Sequence, residues 1–184
     1  MKQKLLSFLL ILSASVTFAQ NTDCLLFNKN TVHKTYKDSM DIECCLVIIN
    51  TQNYSPEWYI FRPYEIYKIE NAPEQFMLVS EVAISENANY LAYISVGEGH
   101  PILEIVDFVN LKNNNFDKEI KSLLAINPYP GYISVTNKFL NGVLVVESDM
   151  SLGKLNEKGE YKFQYNDSRK FEINIKTKII TELK

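Results

Sequence analysis

Histidine is close to absent from this chain. The 184 residues hold two, His33 and His100, while a catalytic zinc needs about three protein ligands, usually histidine-rich. The short catalytic and nucleotide-binding signatures are missing too: there is no G-x-S-x-G, no P-loop, no G-x-G-x-x-G and no H-E-x-x-H. No metal or cofactor is expected on these grounds, and the chain leans away from an enzyme. Glycine and proline are scarce at six each, which is not the makeup of a disordered chain. Basic residues are not in excess, with 19 Lys and Arg against 22 Asp and Glu. That argues against nucleic acid and against an anionic membrane as partner, since both call for a basic face. The one long apolar run is at the start, and it falls short of the roughly 20 residues that span a bilayer.

What is present begins with that run, in "MKQKLLSFLLILSASVTFAQ". Lys2 and Lys4 form a basic lead, residues 5–16 are almost wholly apolar and uncharged, and Thr17 and Ala19 put small residues before a cleavage point. This is the pattern of a secretory signal peptide over residues 1–19. It predicts an exported chain, periplasmic or secreted, with no transmembrane anchor after cleavage. Removing Lys2 and Lys4 leaves 17 basic against 22 acidic side chains, a net charge of −5. Residues 20–184 have the length of one ordinary domain and can bury a sizeable core.

Three cysteines remain: Cys24, Cys44 and Cys45. An oxidising compartment favours a bond from Cys24 to one of the adjacent pair. Closing a loop of that size is worth roughly 3 kcal/mol in the chain-entropy treatment. No C-x-x-C is present, and "ECCLVIIN" reads as a core strand with a buried free thiol left over.

The dominant hydrophobic period is two. Strands are expected over 44–49, 58–69 with a break at Pro63, 76–84, 90–96, 102–108, 133–135, 143–147, 161–165, 171–175 and 178–183. One segment reads differently. Phe116, Ile120, Leu123 and Leu124 share a helical face between an asparagine run and Asn127-Pro128, which predicts a short helix over 117–125. "NEKGE", 156–160, reads as a solvated turn. The fold class is therefore mainly β, a single antiparallel β-meander domain, propeller-blade-like or sandwich, with one short helix.

An internal echo refines this. "AISENANYLAYIS" and "SVTNKFLNGVLVVES" share a layout of strand, polar turn and β-rich strand ending in serine. The first is followed by "ILEIVDF", the second by "KFEINIKTKIIT". On Ser85, Asn89, Tyr90, Leu91, Ala92 and Tyr93, and on Asn141, Gly142, Val143, Leu144, Lys176, Thr177 and Lys178, the chain resembles the blades of TolB-like β-propellers. The resemblance covers about half of the mature chain and implies consecutive antiparallel meanders. The chain is expected to be too short to close a propeller ring.

The stretch "VGEGHP", 96–101, concentrates chemistry between two strands. Gly97 and Gly99 are expected to supply positive φ and Pro101 to end the connection, making a hairpin loop. Glu98 and His100 are then side chains held out from it, as ligand or partner contacts. Tyr129 and Tyr132 in "INPYPGYI" are candidate recognition residues, tyrosine being favoured at interfaces. Glu147 and Asp149 in "VVESDMSL" read as a solvated face, the alternative being a carboxylate pair. The expected function is that of an exported, non-catalytic binding protein whose partner is another protein or a cell-envelope component. Two alternatives stand beside it: a hydrolase-like or metal-dependent enzyme centred on Glu98 and His100, and a structural envelope component.

Overall fold

Alternating apolar residues pair the chain into successive antiparallel meanders. A computed structural model describes residues 30–72, 78–113, 115–116, 118–155, 161–163 and 167–184. The expected signal peptide, Cys24, Phe76, Asp117, "NEKGE" and Tyr165 lie outside the described residues.

The first sheet has its strands in chain order: β1 (Thr31–Lys37), β2 (Glu43–Ile49), β3 (Glu57–Arg62) and β4 (Glu65–Lys68). Pro63 and Tyr64 make the reversal between the last two, where proline's missing N–H costs no ladder bond. The second sheet repeats the plan with β5 (Leu78–Ile84), β6 (Tyr90–Gly97), β7 (His100–Asp107) and β8 (Ser122–Ile126). A one-turn helix, α1 (Val109–Lys112), follows β7. The third sheet contains β9 (Ile133–Leu140), β10 (Val143–Ser148), β13 (Arg169–Asn174) and β14 (Ile180–Glu182), again neighbours in order. Between β10 and β13 the chain inserts a two-stranded sheet, β11 (Met150–Leu155) and β12 (Tyr161–Phe163).

The two echoed segments thus hold equivalent places. Each forms the first hairpin of its sheet, β5–β6 and β9–β10, and "ILEIVDF" and "KFEINIKTKIIT" supply later strands. The polar turns carry left-handed residues, Ala88 at φ 51° in one and Asn141 and Gly142 at 52° and 75° in the other. In the first, Ser85 Oγ accepts the N–H groups of Asn89 and Tyr90 at 3.1 and 2.9 Å.

The second sheet lies between the other two and is covered on both faces. Leu91 and Tyr93 of β6 enter a core shared with Leu46, Ile48, Trp58 and Ile60 of the first sheet. Their neighbours Ala92 and Ile94 enter a second core with Leu144, Val146, Phe171 and Ile173 of the third. That two-sided burial is why "YLAYISV" has no polar face. Trp58 meets Tyr93 edge to face at 5.2 Å, an arrangement worth about 0.5–1.5 kcal/mol beyond its buried area. The first strands also gather: β5 packs beside both β1 and β9. Polar ties cross each seam. The Asn50 amide bonds both N–H and C=O of Val79, Glu81 Oε2 accepts the Val135 N–H at 2.8 Å, and Lys34 Nζ donates to Asn137 Oδ1 at 2.7 Å.

The helix is not where the sequence pattern puts it. Among the described residues the helix is α1 at Val109–Lys112, with the Val109 N–H held by Asp107 Oδ1 at 2.8 Å. Residues 122–126, overlapping the end of the expected 117–125 helix, form β8 on the free edge of β7. The apparent helical face was two destinations in one segment. Phe116 and Ile120 pack into the first core, while Leu123 and Leu124 pack against the second. Two strands escaped the pattern as well. β1, "TVHKTYK", fully buries only Tyr36, and β11 begins at Met150 with no preceding turn signal.

Candidate functional site

The sequence candidates collect at one end of the sheets. There the chain turns between β2 and β3, between β6 and β7 and between β8 and β9, and passes from β10 into β11. The turns joining β1 to β2, β3 to β4, β5 to β6 and β9 to β10 lie at the other end.

"VGEGHP" is a two-residue hairpin. Gly97 of β6 pairs with His100 of β7, leaving Glu98 and Gly99 as the turn. The left-handed residues are Glu98 at φ 52° and Gly99 at φ 83°, the type I′ pattern whose twist matches the flanking strands. The expectation of positive φ at Gly97 is therefore corrected: Gly97 closes the ladder, and Glu98 takes the left-handed place. The Glu98 side chain is exposed at the tip.

His100 is half-buried and turns toward a different loop. Its ring meets that of Tyr129 edge to face, with centroids 4.3 Å apart and planes at 88°. Tyr129 remains 54% exposed, so the pair forms a partly open aromatic platform. Its loop is held by its own polar groups. The Tyr129 N–H donates to Asn127 Oδ1 at 3.1 Å and the Gly131 N–H to Pro128 O at 2.8 Å. The Tyr129–Pro130 peptide is cis. Tyr132 is anchored at three points: its N–H donates to Asp149 Oδ1 at 2.8 Å, its carbonyl accepts from Ser148 Oγ at 2.6 Å, and its hydroxyl bonds Ser168 Oγ. It keeps 39% of its surface exposed.

Glu147 and Asp149 go separate ways. Glu147 on β10 lies 3.4 Å from Lys170 Nζ, while Asp149 is spent on the loop backbone. His33 lies in β1, opposite Val47. Among the described residues no group of three or more His, Cys, Asp or Glu gathers as a metal-binding set, and no helix is long and apolar enough to cross a membrane. Cys44 is a buried free thiol whose pKa is pushed up by that burial.

Sequence reasoning picked out the four side chains at this end, but it missed Gly131 and Ser168, and it read Asp149 as part of a solvated face where it instead accepts the Tyr132 N–H. A Cβ on Gly131 would overlap Met150 Cγ and Asp149 Oδ1, so only glycine lets the loop lie down on β11. The signal was the glycine in "PYPGY". No protein-family model matches this chain, and no curated protein matches it.

Proposed function

We propose that this is an exported, non-catalytic binding protein that holds another exported protein through the platform of Tyr129, His100, Tyr132 and Glu98. The observation that carries the reading is the edge-to-face contact of His100 with Tyr129. It joins two loops remote in sequence and leaves tyrosine surface outside. Tyrosine gives large contact area with few torsions to freeze, and a loop already held by backbone hydrogen bonds has less ordering left to lose on binding. Export rests on the basic, apolar and small-residue order of residues 1–19. The three four-stranded meanders, with β5 beside both other first strands, support a blade-like relationship among the sheets.

A disulfide from Cys24 to Cys45 belongs to the same reading. Its support is that Cys44 is a buried free thiol, which leaves Cys45 as the member of the adjacent pair to take the bond. Non-reducing peptide mapping of exported protein should recover the Cys24–Cys45 pair. A Cys24–Cys44 peptide, or three free thiols, would reject it.

The binding surface is tested with a photo-crosslinking residue at position 98 in cells that export the chain. The control carries it at Tyr64, which is 91% exposed at the opposite end. Defined adducts are expected from position 98 and not from position 64, and Tyr129→Ala should reduce them about tenfold. Equal labelling at both positions, or no loss in Tyr129→Ala, would sink the reading.

A further inference from the structure

A separate cleft opens where the loop after β2 overhangs the starts of β1 and β5. It is open to solvent and has a volume of about 700 Å³, within the range of about 300–1,000 Å³ usual for small-molecule sites. Its floor is rigid. The Asn50 side chain donates to Val79 O at 2.7 Å and accepts the Val79 N–H at 2.8 Å, and the Asn50 N–H donates to Asn30 O at 2.9 Å. The walls combine amides and hydroxyls, from Asn30, Thr31, Thr51, Gln52 and Ser80, with valine and leucine side chains of β1, β5 and β6. No charged side chain is among the described residues that line it.

Tyr54 lines the same cleft and is 63% exposed. Its backbone is left-handed at φ 56°, the one bulky aromatic among the described positive-φ residues. Such a conformation opposes folding in any residue that has a Cβ, and an exposed ring returns little packing for it. The loop nonetheless fixes it there: Tyr54 N–H donates to Thr51 O at 3.2 Å and Thr51 Oγ1 to Ser55 O at 2.9 Å.

We propose that this cleft binds an uncharged glycan. A charged ligand would meet no counter-charge among the described lining residues, at a large desolvation cost. A wholly apolar ligand would strip water from the amides and hydroxyls and give nothing back. A neutral sugar satisfies both halves of the lining. Its hydroxyls meet amides that donate and accept at once, and its C–H face lies against the Tyr54 ring. Glu98, His100, Tyr129 and Tyr132 are not among the described residues that line this cleft.

The test is to titrate isotope-labelled protein, followed by amide resonances, with cellohexaose, maltohexaose, chitohexaose and, as charged control, hexagalacturonate. At least one neutral oligosaccharide should shift the resonances of Gln52, Tyr54 and Ser80. Tyr54→Ala, with its remaining spectrum intact, should bind about tenfold more weakly, and Tyr129→Ala should bind as the parent does. The proposal is overturned if no neutral oligosaccharide moves those resonances, if only hexagalacturonate does, or if Tyr129→Ala abolishes the binding.

Discussion

Arg62 and Asp38 form an ion pair at the buried end of the first core, and cutting it in half should be far worse than removing it whole. Asp38 Oδ1 accepts the N–H groups of Met40 and Ile42 at 2.8 and 3.0 Å and so builds the β1–β2 turn. Its other oxygen faces Arg62 Nη2 at 3.6 Å, with side chains 1% and 9% exposed. Arg62 also donates to Lys112 O at 3.2 Å, tying β3 to α1. Arg62→Met removes the cation and strands a carboxylate out of water, which costs about 3–5 kcal/mol in buried pairs of this kind. Asp38→Asn in the same chain keeps an oxygen for the two turn N–H groups but removes the charge. The double variant loses chiefly the bond to Lys112 O, about 1 kcal/mol, and should regain at least half of the single variant's deficit. Trp58 is the only tryptophan and is fully buried, so its fluorescence in urea reports unfolding directly. The account of this pair fails if Arg62→Met lies within about 1 kcal/mol of the parent, or if the double variant is no better than the single.

Three further outcomes are expected. Gly99→Val should lower stability by about 1–2 kcal/mol, because a β-branched residue resists φ 83°. Gly97→Val should cost less; equal losses in thermal melts would contradict the turn assignment. Gly131→Ala should cost about 2–4 kcal/mol in urea unfolding, from displacing fully buried Met150 and weakening the Asp149 bond to Tyr132. A loss below about 0.5 kcal/mol would mean the loop has room to move. Glu81 is held above its ordinary value of 4.5, chiefly by burial against the Val135 seam and partly by Glu147. Folding therefore favours its protonated form, and that contribution is complete below the unfolded-state value and lost as pH rises through the folded one. Glu81→Gln keeps an acceptor for the Val135 N–H. It should melt higher than the parent at about pH 7 and alike at about pH 3; a lower melting point at neutral pH would reject the assignment.

Some of this molecule was written in local pattern alone. β2 and β6 are legible because both faces of each are buried, which leaves a continuous apolar run that no solvated helix or loop would carry. The reversal at Glu98 and Gly99 is legible because the strands around it leave no length for anything else, although which residue goes left-handed was settled by the register of Gly97 against His100. Other features exist only once the sheets meet. β8 looked helical because Phe116 and Ile120 serve one core and Leu123 and Leu124 another, and a one-dimensional period cannot separate two destinations. β1 buries too little of its own surface to declare itself and owes its strand geometry to the ladder offered by β2. The site divides in the same way. Tyrosine, histidine and glycine in two loops could be named from composition, but the ring contact of His100 with Tyr129 depends on how β7 and the β8–β9 loop meet in three dimensions. The cleft at Tyr54 joins segments from two sheets, and nothing in the sequence says that a loop following β2 will overhang the start of β5.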